Sequence, residues 1–226
     1  MGKKTLVTAL LALVFCSAVP SQGISQTTVI RAETDSVANG VLRTTGVPSA
    51  TVSVVRNNQV ILTNAYGSAK LDPLTVATPN MRYAVGSISK QFTAVAALIL
   101  QQEGKLRVDD PISRYVPGLT RGNDVTIRML LSHTSGYQDF WPQDYVMPGM
   151  LKATTPQAIA DAWAKKPLDF EPGSRWQYSN TNYTLAGMAV EKAAGIPIWQ
   201  FVKTRARRKS SNGTPATFSA IIPAIT

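Results

Sequence analysis

The sequence contains one cysteine and one histidine in 226 residues. A lone Cys16 cannot close an intramolecular disulfide. Cys16 and His133 together are too few for the usual His/Cys zinc site, which needs three or four protein ligands. No Gly-rich phosphate loop of the Walker type is present, so neither a metal nor a cofactor is expected. No apolar run reaches the roughly 18 residues expected of a membrane span. Gly at 15 and Pro at 14 are ordinary, which excludes collagen-like and low-complexity chains. Charged residues are only 16% and hydrophobic residues 44%, a globular composition that excludes a disordered chain.

Acidic residues are missing from the end of the chain: none occurs after Glu191. That absence explains much of the net charge of +10. Lys203, Arg205, Arg207, Arg208 and Lys209 stand unopposed, and Lys3 and Lys4 add two more positive charges at the start. The middle carries charges of both signs, so a nucleic-acid-binding face is not expected. A local basic tail, able at most to meet anionic surfaces, is what the charge supports.

Lys3 and Lys4 precede an apolar stretch from Thr5 to Phe15, and Cys16-Ser17-Ala18 offers small residues for cleavage. This is the pattern of a secretory signal peptide. Pro20, Ser21 and Gly23 then interrupt it. The reading is a signal peptide over residues 1–23, a globular domain over 24–204 and an atypical basic tail over 205–226. The protein is expected to be secreted or periplasmic, with no stable membrane span after processing.

Val29, Ile30, Val37, Val41 and Leu42 share one face of a helix that Gly46 ends. Ala50 to Arg56 and Gln59 to Ala65 are β-rich, and Asn57-Asn58 suits a two-residue hairpin turn. Met81 to Val85 has the pattern of a short strand. Ser87 to Glu103 is apolar around most of its circumference, which predicts a helix at the centre of a domain. Asp110-Pro111 predicts a short capped helix, and further helices are expected at Thr126 to Leu131, from Thr155-Pro156 to about Lys165, at Thr181 to Ala194 and from Ile196. Early strands before many helices give an α+β, or mixed α/β, fold.

Ser87-Ile88-Ser89-Lys90 is the only S-x-x-K in the chain. Residues three apart on a helix share a face, so a hydroxyl and an amine can meet there. A serine needs a base to become a nucleophile. An ammonium cannot serve, but desolvation at a buried helix start eases loss of a lysine's proton. The ordinary alternative is a capping serine beside a solvated lysine. Tyr178-Ser179-Asn180 lies between a turn and a helix. A tyrosine near positive charge could relay a proton, and Asn180 offers a donor and an acceptor for a substrate amide. Alternatively these residues only cap and pack a helix entry. His133, within Leu130 to Gly136, reads as a structural loop residue rather than a general base. No G-x-S-x-G elbow is present, against an α/β-hydrolase.

Together these segments resemble the serine β-lactamase and penicillin-binding-protein superfamily, in its class C β-lactamase-like branch with DD-peptidases and esterases. Tyr83-Ala84-Val85-Gly86-Ser87-Ile88-Ser89-Lys90-Gln91-Phe92-Thr93 resembles the nucleophile segment. Gly104-Lys105-Leu106 to Asp110-Pro111 and Tyr115-Val116-Pro117 resemble the family's next stretch of chain. Leu130 to Gly136 resembles L-L-x-H-T-S-G, and Tyr178-Ser179-Asn180 matches Y-x-N. The resemblance covers about Thr27 to Thr204. It implies an antiparallel sheet beside a helical region, and acylation of Ser87 by an amide, β-lactam or ester. Lys90 and Tyr178 would share the base and acid roles, Asn180 would orient a small-molecule or peptide substrate, and water would release the product.

The family's third motif, K-T-G or H-x-G on a late strand, has no counterpart: after Lys203-Thr204 comes Arg205. That strand also supplies the second oxyanion donor. The expectation is therefore a sheet incomplete at its C-terminal side, and a copy of the family domain that is truncated or frameshifted near residue 205. The alternative function is a catalytically impaired remnant with at most weak ligand binding.

Overall fold

The computed structural model describes residues 25–141 and 153–208, with side chains through 205. The expected signal peptide, most of the Gln138 to Met150 loop and the tail beyond 208 lie outside the described residues. The chain forms two compact units, one up to Met81 and one from Arg82 onward.

In the first unit, α1 spans Gln26–Thr45. Its N-cap Ser25 accepts the Thr28 N–H, and Gly46 closes it in the left-handed region at φ 72°. Strand β1 (Ser49–Arg56) pairs antiparallel with β2 (Gln59–Leu71). Asn57 and Asn58 have φ of 51° and 60°, the pair of positive values that a tight two-residue turn matched to strand twist requires. Strand β2 runs six residues past the expected Ala65 and pairs with β3 (Leu74–Val76). The sheet order is β1-β2-β3. The Asp35 carboxylate of α1 accepts from Tyr66 Oη at 2.6 Å and from Asn64 Nδ2 at 3.1 Å, which ties the helix to β2. The apolar stripe of α1 is mostly uncovered: Ala38 is buried, whereas Val29, Val37 and Val41 are exposed.

No strand forms at Met81 to Val85. The segment alternates half-buried and exposed positions as a strand would, but no described backbone pairs with it. A strand is stabilised by its ladder rather than by its pattern.

The second unit is helical. A 3-10 turn at Gly86–Ile88 leads into α2 (Ser89–Gln102). The helices α3 (Ile127–Leu131), α4 (Pro156–Trp163), α5 (Asn180–Ala194) and α6 (Ile198–Arg208) come after it. Thr126 and Thr155 cap α3 and α4 through their hydroxyls. The Asp110-Pro111 pair does not cap a helix. Asp110 instead accepts from the Arg107 N–H and Tyr115 Oη and pairs with Arg114, and only a 3-10 turn forms at Ile112–Arg114. The hydroxyl of Tyr115, buried and bound to that carboxylate, is pushed up to about 12. Leu100, Ile112, Val125, Ile127, Leu130 and Leu185 form the centre of one core. Helix α2, expected at the centre of a domain, puts Ala96, Ala97 and Leu100 into the core, while Val95 and Leu98 are exposed.

The fold is thus α+β, with a three-stranded antiparallel sheet and a helical region. No strand occurs after β3 among the described residues. No described helix is long and apolar enough to cross a membrane. Helix α6 runs through the expected boundary at residue 205, and Arg205 forms an ion pair with Glu103.

Candidate active site

The second unit brings Ser87, Lys90, Tyr178 and Asn180 to one place. Ser87 and Lys90 are three residues apart across the passage from the 3-10 turn into α2. Ser87 does not cap α2, whose N-cap is Ile88. Ser87 is exposed and Lys90 half-buried. Ser87 Oγ lies 2.7 Å from Tyr178 Oη and 3.2 Å from Lys90 Nζ. Lys90 Nζ donates to Asn180 Oδ1 at 2.7 Å and sits 5.0 Å from the centre of the Tyr178 ring. Tyr178 Oη also donates to Asn180 Oδ1, at 3.2 Å. One hydroxyl therefore faces both an amine and a phenol, and one amide oxygen touches both of those groups.

Tyr178 and Asn180 owe their placement to the loop from His133 to Asp139. The His133 carbonyl accepts from Gln177 N–H at 2.9 Å, and the Thr134 carbonyl from Gly173 N–H at 2.8 Å. The Gly136 carbonyl accepts from Asp169 N–H at 2.9 Å. Gly136 has φ 85°, and a Cβ there would collide with the Phe170 carbonyl oxygen; only glycine lets the two segments lie this close. His133 itself adopts φ 60°. Its Nδ1 accepts from Ser179 N–H at 3.2 Å, which fixes the neutral ring with its proton on Nε2. Burial, and then the Lys90 charge, hold the imidazole below its usual range. Its ring centre is 4.6 Å from that of Tyr178 and 5.2 Å from that of Tyr183. His133 is thus a wall behind the phenol.

Three further residues complete the surroundings: Ser135, within the Leu130 to Gly136 motif, and Asn182 and Asp139, which no motif marks. Ser135 is fully buried, donates to Asn182 Oδ1 at 2.6 Å and accepts from the Tyr137 N–H. Asn182 is buried in the first turn of α5, an unfavourable place for a polar side chain unless it is bonded. Asp139 accepts from the Asn180 N–H at 2.8 Å and from Asn180 Nδ2 at 3.1 Å on each carboxylate oxygen. Asn180 carries its amide between Lys90 and Asp139, where the sequence suggests a free contact for substrate. An acid three residues past the glycine of the His133 loop is the available signal for Asp139. No metal-binding cluster occurs among the described residues.

Against known proteins, the profile of the beta-lactamase family matches residues 29–210. Penicillin-binding protein 4* of Bacillus subtilis is 32% identical over 158 residues, covering 69% of this chain and 35% of that protein. A D-stereospecific amidohydrolase from Streptomyces sp. superimposes with a TM-score of 0.66 at 33% identity, over 79% of this chain and 54% of that one. A class C beta-lactamase gives a TM-score of 0.67 at 27% identity, over 80% of this chain and 49% of that one. The chain spans about a third of the length of the curated relatives it matches and roughly half of those two solved chains. With the Ser87 to Lys90 segment, the His133 loop and the Y-x-N entry to α5 gathered on one such scaffold, the chain belongs to the beta-lactamase family, within the superfamily of serine β-lactamases and penicillin-binding proteins.

Proposed function

We propose that the chain is a serine hydrolase that forms an acyl-enzyme on Ser87 from an amide, β-lactam or ester. The observation that carries this reading is the approach of Ser87 Oγ to Tyr178 Oη at 2.7 Å and Lys90 Nζ at 3.2 Å, within reach for proton transfer. Ser87 Oγ attacks the carbonyl carbon, and the carbonyl π pair moves onto oxygen. The serine proton passes to Tyr178 as phenolate or to Lys90 as free amine, since an ammonium cannot accept it. As the tetrahedral intermediate collapses, the C–N or C–O bond breaks and the leaving atom takes a proton from that pair. Water then adds to the acyl carbon, and its proton returns along the same route to Ser87 as the ester bond breaks. The Ser87 backbone N–H is one candidate oxyanion donor. Asn180 orients the reacting groups through the amine and phenol that it holds. The expected signal peptide supports a secreted or periplasmic protein that meets a small-molecule or peptide substrate there.

One observation favours a second reading, that of an impaired remnant of the family. No described strand follows β3, so none of the described residues offers a second oxyanion N–H from such a strand, and loss of one oxyanion donor typically costs about 100- to 1,000-fold in rate. Hydrolysis of a penicillin, a D-amino-acid amide and a nitrophenyl ester, measured for the secreted chain and for Ser87→Ala, separates the two. Turnover of any of them that disappears in Ser87→Ala supports the hydrolase. Equal rates for both proteins on all three favour the remnant.

A further inference from the structure

The structure assigns Asp139 as the residue that sets the orientation of the Asn180 amide, and through it the positions of Lys90 and Tyr178. This inference rests on the proposed acylation of Ser87. A side-chain amide has a donor end and an acceptor end of nearly equal size, and only its partners decide which points where. An ionised carboxylate can only accept. Asp139 presents both carboxylate oxygens to Asn180 Nδ2, each at 3.1 Å. The NH2 end must face it. The carbonyl oxygen is then turned to Lys90 Nζ at 2.7 Å and Tyr178 Oη at 3.2 Å. With the amide reversed, an NH2 group would stand against the amine, and two donors would meet without an acceptor.

Asp139 also anchors the start of α5. Its Oδ1 accepts from the Asn180 N–H at 2.8 Å, at a helix N-terminus whose N-cap Ser179 supplies no side-chain bond of its own. A carboxylate there satisfies a helix N–H and suits the positive end of the helix. One side chain thus has two effects: Asp139 holds the backbone of Asn180 and chooses the face of its amide. It reaches Lys90 and Tyr178 through the Asn180 amide, so it is a positioning residue.

The test compares Asp139→Ala and Asp139→Asn with Gln138→Ala. Gln138 anchors the same loop, donating from Nε2 to the Pro167 carbonyl at 2.9 Å. Removing it perturbs the loop without touching the Asn180 amide. Two readouts are taken on the full secreted chain. One is the rate at which a fluorophosphonate labels Ser87; the other is the side-chain NH2 pair of Asn180 in a ¹⁵N–¹H spectrum, assigned by its loss in Asn180→Ala. Asp139→Ala is expected to slow labelling at least tenfold and to move or broaden the Asn180 pair. Asp139→Asn keeps one acceptor oxygen and should recover part of both. Gln138→Ala should leave the pair in place and slow labelling far less. Wild-type labelling by Asp139→Ala, an unmoved pair, or an equal loss in Gln138→Ala would overturn the assignment. If wild type itself is not labelled, the acylation reading fails, and the Asn180 resonances still decide the role of Asp139. Tryptophan fluorescence confirms folding, since all four tryptophans lie beyond Arg82.

Discussion

From Arg82 onward, Leu100, Ile112, Val125, Ile127, Leu130 and Leu185 are fully buried in one core. Up to Met81, only Ala38, Leu62, Tyr66 and Ala77 are buried apolar residues among those described, while Val29, Val37, Val55, Leu71, Leu74 and Val76 are exposed. The helical unit thus carries its own hydrophobic stabilisation, and the hairpin unit carries little. Ser87, Lys90, Tyr178, Asn180 and Asp139 all belong to the helical unit. A constellation that needs positions fixed within tenths of an ångström is built on the part of the chain that has a core.

The contrast can be broken most severely at Leu185. Leu185→Ala removes a fully buried side chain from α5 and should lower unfolding stability by about 2–5 kcal/mol, seen as a shifted urea midpoint in tryptophan fluorescence. Ser135→Ala comes next. It leaves the buried Asn182 Oδ1 without the hydroxyl that now donates to it, at about 1–3 kcal/mol in the same measurement. A pH series then sharpens the comparison. The folded state holds the His133 ring below its ordinary value of 6.5, so near and below 6.5 the unfolded chain binds the proton more readily. His133 therefore contributes stability above that value, and the contribution declines as pH falls through the lower folded-state pKa. His133→Gln should flatten this part of the stability profile.

In the hairpin unit, Tyr66→Phe removes the bond to Asp35 and should cost about 0.5–1.5 kcal/mol, read as faster amide exchange in β2. The smallest effect is expected from Val37→Thr on the exposed stripe of α1, within about 0.5 kcal/mol of wild type. A large loss there would mean that the stripe is covered, and the contrast between the units would fail.

How much of the structure is legible in the sequence depends on the range of the forces involved. The turn at Asn57-Asn58 and the helix stop at Gly46 are local, and they appear where the residues indicate. Strand β3 is not legible, because three exposed residues become a strand only by pairing with an extended β2. The strand expected at Met81 to Val85 fails for the converse reason: its pattern is suitable but no described partner exists. The composition of α2, apolar around most of its circumference, does not say which of its apolar residues find neighbours: Ala96, Ala97 and Leu100 do, and Val95 and Leu98 stay exposed. At the site, Ser87, Lys90, Tyr178 and Asn180 stand out by their motifs. Asp139 does not, because its importance lies in contacts across 41 residues of chain.

The most direct measurement is the intact mass of the full chain after exposure to a penicillin or a fluorophosphonate, with Ser87→Ala as the control. Acylation at Ser87 predicts one covalent adduct on wild type and none on Ser87→Ala. Folded wild-type protein that stays unmodified by both reagents, or an adduct that persists in Ser87→Ala, would contradict it.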